Sequence, residues 1–502
     1  VKNFISNITE EKYVPWWAAA STAIIALWMI LQSHGIINND GILYIEAAKQ
    51  FANHEWQKGF ALYNWPVYTL LIALTNALTG LEFQASAHLI SILFFALTGA
   101  GVTILAKEFG GDRRVMIAAA LLLCCSPYIV RSLLPMIVRD HGFLAFHIWS
   151  LVFFLRFYRH NSIQDAAAWG ITAILATLFR IEGLVYLALL PLVILMSNSL
   201  TWKKRLELIL KAQSLSLAVG LVLTAALLFI PSVSLNNLGR LRDPIGFLKT
   251  VFFQLSQGLS DKAQIYGENV LGPFLENFSL SGLLITLALV VVTKSAFSAG
   301  WLQFAFAAFS QKLPESQKPL NKLVLKWLLF LGLANATVVT LSVFVLSTRY
   351  LLPLATLIMI ASAFGLAALL QSVKRKWILY GLFAAIVLQL AATLWPFSSA
   401  QRYEIEAADW IKEHITSDKK IYFDEARIRY YAFGDSSDRT EKPWSEVQRF
   451  LDSDELKQFD YVLVHLSNRH PEQRVWIISK LGAPIATFNN SHGKQIQIHE
   501  IP

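Results

Sequence analysis

The chain has 502 residues, of which 55% are hydrophobic and only 15% charged, with 33 Phe and 15 Trp. That balance excludes an ordinary soluble domain, and several apolar runs of about 18–22 residues are long enough to cross a bilayer. The formal net charge of +9 fits cationic cytoplasmic loops rather than a nucleic-acid surface, and the only cysteines, Cys124 and Cys125, adjacent in an apolar run, exclude a disulfide framework and a zinc finger.

The first apolar run, 15–33, lacks the short core and small-residue cleavage site of a signal peptide, so it is expected to span. Directly after it comes "GIINNDGILYIEAAKQFANHEW", residues 35–56. An interfacial helix is expected over Gly41–Ala52, with Asp40 well placed to be its N-cap. Residues 60–79, "FALYNWPVYTLLIALTNALT", are apolar but interrupted by Pro and polar residues. They are expected along the outer interface, so that outer-face helices occupy 35–80. Further spans are expected at 86–106, 115–131, 142–158, 165–179, 183–198, 207–230, 280–293, 323–346, 351–370 and 377–396, which makes eleven transmembrane helices.

Basic residues set the orientation. Lys107 with Arg113 and Arg114, Arg156 with Arg159, Lys203 to Arg205, Lys312 to Lys326 and Lys374 to Lys376 all share one side if the N-terminus is cytoplasmic. An odd number of spans then places the C-terminus outside. The stretch 232–279, with amphipathic pieces such as "IGFLKTVFFQL", is read as a long outer loop carrying interfacial helices. Residues 399–502 change character: "EIEAADWIKEHI" has helical periodicity, "KKIYFDE", "DYVLVHLS" and "KQIQIHEI" read as strands, and "EQRVWIISKLG" reads as a helix. The expected fold class is a polytopic α-helical membrane protein, with a transmembrane domain over 1–398 and a soluble extracytoplasmic α/β domain over 399–502.

The span interiors contain essentially no Asp, Glu, Lys or Arg, which argues against a transporter or flippase of an anionic or lipid-linked solute. The unusual charges gather at the outer mouths instead: Asp40, Tyr44 and Glu46; Arg131, Arg139, Asp140 and His141; Arg180 and Glu182; Arg240, Arg242, Asp243 and Lys262; Arg349 and Tyr350. Arginines on that side want a partner, either a neighbouring carboxylate or a bound anion such as phosphate. Each group also has a plain reading: Asp40 as a cap, Asp140 as a cap or partner of Arg139, Arg180 with Glu182 as an interfacial ion pair, Arg349 with Tyr350 as an anchor. If those exhaust their roles, the protein is a non-catalytic membrane scaffold. His141 and His147 are six apart, off the spacing of a helical metal pair.

The order of these motifs resembles the GT-C superfamily of polyprenyl-phosphate-dependent glycosyltransferases, in the branch of protein O-mannosyltransferases and the lipid A aminoarabinose transferase. "NNDGILYIEAA" followed by "LYNWPVY" is similar to that branch's outward Asp and Tyr…Pro segment. "IVRDHGFLAFHIWSLVFFLRFYRH" resembles its opening of span four, "LFRIEGLVYLALLPLVIL" its Arg-x-Glu opening of span six, and "STRYLLPLATLIMI" its Arg-Tyr-x-x-Pro opening of a late span. Two positions depart from the pattern. Trp65 stands where many relatives have Lys or His, so Lys58 or the long loop is expected to supply that phosphate contact. Gly41 follows Asp40 where the O-mannosyltransferases have an Asp-Glu pair.

The resemblance implies an inverting transfer of a hexosyl or pentosyl group from undecaprenyl- or dolichyl-phosphate to a hydroxyl of a glycan, lipid or protein acceptor, outside an inner (plasma) membrane. Asp40 is expected as general base and Asp140 as a second catalytic carboxylate. Arg349 and Arg242, supported by Arg139 and Arg180, are expected to hold the leaving phosphate. Tyr44, Lys58, Tyr63, His141, Glu182 and Tyr350 complete the expected substrate-binding set. A divalent cation between Asp40 and Asp140 is compatible with this reading and not required by it.

Overall fold

The computed structural model describes residues 10–229, 244–310, 321–395, 401–416, 418–435 and 442–501. Among the described residues, eight helices are long and apolar enough to cross a membrane: Glu11–Gln32, Phe83–Glu108, Arg113–Leu133, Asp140–His160, Glu276–Ala299, Lys322–Ser342, Thr348–Ser372 and Lys376–Leu394. The other three expected spans also form helices, at Ile163–Phe179, at Gly183–Leu189 continued by Leu190–Met196, and at Trp202–Phe229. The first of these has 17 residues, about 26 Å of rise, just short of a hydrocarbon core of about 30 Å.

Local sequence fixes the ends of these helices. Pro opens both Val14–Gln32 and Leu352–Ser372, where a missing N–H costs nothing. Asp112 caps Arg113–Cys124 by accepting from the backbone N–H groups of Arg114 and Val115. Gly80 ends Val67–Thr79 in the left-handed conformation.

Packing then sorts the helices. Thr348–Ser372 is central, with 89% of its apolar window buried, while Lys376–Leu394 is peripheral with 11%. Phe383 and Leu388 point outward from the peripheral helix, as Ile24 and Leu27 do from the first. An apolar surface of that extent is solvated by lipid, and the chain is a multi-pass membrane protein. At Gly99 a Cβ would stand 2.9 Å from the Ala18 carbonyl oxygen, so the glycine is what lets the first two spans approach. Gly142 plays the same part between Asp140–His160 and Phe179, whose ring would collide with any side chain there.

The interfacial stretch folds as Asn39–Ala52, Trp56–Leu62 and Val67–Thr79. Their buried faces (Tyr44, Ile45, Phe51, Tyr68 and Ile72) pack on Phe94, Phe143 and Phe179 of the spans. The first helix starts earlier than expected: Asn38 holds the N-cap position and Asp40 lies inside the first turn, so Asp40 is not the cap. Of the long loop, residues 244–279 are described and carry the helices Pro244–Phe253 and Leu259–Tyr266. The expected span 280–293 is longer, Ser279–Ala299, and passes through Gly300 at φ 108° into Trp301–Phe309. Gln303 anchors that short helix in the core, donating from Nε2 to the Leu122 carbonyl at 2.9 Å and accepting from Ser362.

The C-terminal region is a four-stranded sheet with helices around it. Its strands are β1 (Ile421–Phe423), β2 (Tyr461–Leu466), β3 (Ala486–Asn489) and β4 (Gln495–Glu500), in the order β1-β2-β4-β3. β1 runs parallel to β2, with Ile421 opposite Tyr461, and both other pairs are antiparallel. The expected strands, the helix Arg402–His414 and the helix Pro471–Leu481 are all present. Strand β3 and the helices Ala426–Phe433 and Trp444–Leu451 are additions.

Candidate active site

The site is assembled from four chain regions. Asn38 pins the start of the Asn39–Ala52 helix to the loop before Asp140: its Oδ1 accepts from Ile137 N at 2.9 Å and its Nδ2 donates to the Ile137 carbonyl at 3.2 Å. That clasp brings Asp40 beside the opening of the span Asp140–His160. Arg349, in the short turn Thr348–Leu351 before the central span, arrives from the other side. Its Nη1 lies 2.7 Å from Asp40 Oδ2 and 3.9 Å from Asp140 Oδ2. A guanidinium therefore occupies the space where a cation between the two aspartates would sit.

Behind this pair is a second, buried set. Arg180 bonds Asp140, and it grips Glu182 with two donors, Nη2 to Oε1 at 2.9 Å and Nε to Oε2 at 3.2 Å. Asp140 is 1% exposed, Arg180 4% and Glu182 8%. Burial acts to raise the Glu182 carboxyl, but Arg180 outweighs it and holds the group well below the ordinary carboxylate range. Tyr350 lies under the Arg180 guanidinium at 4.9 Å, and Arg139 stands over the Tyr63 ring at 5.8 Å. Tyr63 in turn meets Tyr44 edge-on at 5.0 Å. His141 is buried, with Nε2 3.1 Å from the Met136 carbonyl oxygen.

Most of the residues singled out in the sequence are thus brought together: Asp40, Arg349, Asp140, Arg180, Glu182 and Tyr350 in one chain of contacts, Arg139, Tyr63 and Tyr44 beside it. Lys58 stands apart, paired with Glu55 on an exposed helix, and is not at the cavity. Arg242 lies outside the described residues. The plain readings are corrected in part: Asp140 pairs with Arg180 rather than Arg139, and Arg349 reaches Asp40 rather than serving only as an anchor.

Asp40 and Arg349 face a cavity of about 930 Å³, within the usual range of about 300–1,000 Å³ for small-molecule sites. Side-chain exposures of 43% for Asp40 and 34% for Arg349 separate this open pair from the buried one behind it. The cavity also takes in Arg131, Lys294 and Arg427, so among the described residues four cations line it with one carboxylate. Arg131 is held by the carbonyls of Ala392 and Trp395, at 3.0 and 2.6 Å. Arg427 belongs to the C-terminal domain, which is docked alongside: Ile37 N donates to the Tyr431 hydroxyl at 2.9 Å, and Lys49 Nζ donates to the Gly434 carbonyl at 2.6 Å. Sequence reasoning missed Lys294 and Arg427 as site residues. Neither carries a local signal, since Lys294 follows the expected end of a span and Arg427 sits in an amphipathic stretch of another domain.

Fold and site together define a multi-pass membrane protein with a cationic cavity at the mouth of its spans, walled on one side by its C-terminal domain. No family model and no curated protein sequence matches the chain. Among solved structures it is similar to the archaeal oligosaccharyltransferase AglB from Archaeoglobus fulgidus, in complex with an inhibitory peptide and a dolichol-phosphate, at 14% identity and a TM-score of 0.48. That likeness covers 86% of this chain and 61% of AglB. It is also similar to a mutant of the arabinofuranosyltransferase AftD from Mycobacteria, at 15% identity and a TM-score of 0.45, over 89% of this chain and 36% of the other. The chain spans less than two thirds of the length of either. At these identities and scores the likenesses carry no assignment of activity, which rests on the site.

Proposed function

We propose that the protein transfers a sugar from a polyprenyl-phosphate donor to an acceptor hydroxyl at the outer face of the membrane. The observation that carries this reading is the Asp40–Arg349 pair, a carboxylate and a guanidinium 2.7 Å apart at the edge of an open, otherwise cationic cavity. An acceptor hydroxyl is a poor nucleophile at neutral pH and needs a base within hydrogen-bond reach. The departing lipid phosphate is a stable anion and needs cations instead. One acid and one arginine side by side supply both.

In this mechanism the donor's phosphate takes up Arg349, with Lys294 and Arg131 as further cations lining the cavity. Asp40 accepts the acceptor's proton as its oxygen attacks the anomeric carbon. The new C–O bond forms as the bond to the phosphate oxygen breaks, and the electron pair leaves on the lipid phosphate. A single in-line displacement inverts the anomeric centre. Asp140 is committed to Arg180 and buried, so its part is to hold Arg349 in place rather than to touch substrate. The acceptor enters from the side walled by the C-terminal domain, where Arg427 lines the cavity.

The test is transfer from a radiolabelled polyprenyl-phosphate sugar by protein in nanodiscs. Asp40→Asn is expected to bind the lipid donor and to lose at least 100-fold in turnover, the scale of a missing general base. Undiminished turnover removes Asp40 from the chemistry. Movement of intact labelled lipid between leaflets, with no transfer, favours a transporter.

A further inference from the structure

The C-terminal domain contains a second buried cluster that the transfer reaction does not use. Glu404 projects from the Arg402–His414 helix, Glu425 from the turn after β1, and His465 from β2. Glu404 is 1% exposed and Glu425 0%. In both, Oε1 is taken by Arg427, whose Nη2 lies 3.2 Å from Glu404 and also contacts Glu425. In both, Oε2 is buried and accepts no hydrogen bond. Two carboxylates against one guanidinium leave net negative charge in a buried place, and unmet carboxylate oxygens there are costly.

The geometry around those two oxygens is that of a ligand set. One ligand atom from each of Glu404, Glu425 and His465 lies within 4.8 Å of the others. His465 Nδ1 is 3.5 Å from Glu425 Oε2, close to the roughly 3.4 Å between two tetrahedral ligands that each stand about 2.1 Å from one ion. The other ring nitrogen, Nε2, lies 2.5 Å from the Tyr403 hydroxyl. That contact orients the ring with Nδ1 toward Glu425, the arrangement that fixes metal-binding histidines. A proton between Nδ1 and Glu425 would still leave Glu404 Oε2 unmet. A cation satisfies both carboxylate oxygens.

We propose that Glu404, Glu425 and His465 bind one divalent transition-metal ion of the Zn²⁺ class, the mixed imidazole and carboxylate set matching that chemistry better than Mg²⁺ or Ca²⁺. Arg427 and Tyr403 orient the ligands from outside. The ion ties the Arg402–His414 helix to β1 and β2, and through Arg427 it braces the wall of the cavity.

The test uses the full chain in nanodiscs, stripped with EDTA, equilibrated with Zn²⁺, desalted and analysed for metal. One Zn²⁺ per chain is expected, falling to background in Glu404→Gln and in His465→Gln and unchanged in Asp40→Asn. Co²⁺ loaded into the unaltered chain gives the d–d absorption of a low-symmetry nitrogen and oxygen site, a readout that does not depend on whether a variant folds. Failure of the stripped protein to take up Zn²⁺ overturns the proposal. So does a Zn²⁺ content that survives His465→Gln and is lost in Asp40→Asn. The first result leaves the Asp40–Arg349 chemistry standing, whereas the second would place the ion at Asp40 and count against that chemistry as well.

Discussion

Asp140 is 1% exposed against Arg180, while Asp40 keeps 43% of its side chain open and shares Arg349 with the cavity. Two aspartates with the same sequence credentials therefore answer differently to the same change. Asp140→Asn leaves a buried guanidinium short of a partner, and breaking such a pair costs about 3–5 kcal/mol. A clear fall in thermal midpoint and in yield from detergent is expected. Asp40→Asn removes an exposed pair worth about 0–1 kcal/mol, so the midpoint stays while turnover falls. A scan of both variants by intrinsic fluorescence beside the transfer assay separates the two roles, and similar losses of stability in both would remove the distinction. Lys58 shows the limit of reading residues singly. It was expected to replace a missing cation near Trp65, yet it lies beside Glu55 on the exposed side of its helix, a position that depends on the rotation of that helix.

At the scale of elements, the Ser279–Ala299 helix moves a charge from one expected place to another. Lys294 is 15 residues beyond Ser279, about 22 Å along the axis, and yet it lines the same cavity as Asp40. The helix therefore rises past the cavity before Gly300 turns the chain into the buried segment Trp301–Phe309. A span set by hydropathy alone ends before Lys294, because hydropathy does not register how far a helix stands above its neighbours. Lys294→Ala is expected to weaken the binding of undecaprenyl phosphate at least threefold without changing stability. Unchanged binding, measured by lipid titration in nanodiscs, would place the phosphate elsewhere. Gly142 belongs to the same scale. Gly142→Ala pushes against Phe179 and should cost about 1–3 kcal/mol through overpacking. Because Asp140 lies two residues away, activity is expected to fall with stability. A neutral result in both would mean that the two helices separate freely.

For the whole molecule, the decisive contact is between domains. Tyr430 and Tyr431 pack on the aromatic cluster of the interfacial helices, and the Tyr431 hydroxyl accepts from Ile37 N three residues before Asp40. Tyr431→Phe removes that bond together with the longer one the hydroxyl donates to the Ile37 carbonyl at 3.5 Å. Faster hydrogen exchange is expected at residues 426–434 and at 36–40, with the spans unaffected, and unchanged exchange at 36–40 would show that the domain docks without it. The cavity between the two domains is cationic, so charge rather than chain length should govern lipid binding. Polyprenyl phosphate is expected to raise the thermal midpoint and the corresponding polyprenol to leave it unchanged, with the difference shrinking as salt rises. Equal effects from both lipids would show that the tail alone is bound.

The sequence by itself determined the helical membrane character, the order of the long apolar helices and the strand-bearing C-terminal region, because apolar length, terminal prolines and caps, and strand alternation act over neighbouring residues. It also marked Asp40, Arg180 and Arg349 as charges out of place. Only the tertiary structure decided which charge meets which. Asp40 and Arg349 are 309 positions apart, and Tyr431 is 394 from Ile37. Such pairings depend on the rotation and depth of each helix, set by close approaches at Gly99 and Gly142 and by the break at Gly300. Periodicity fixes the face a helix buries, not the neighbour it buries it against, and that is why the cavity could be named in parts from the chain but closed only in three dimensions.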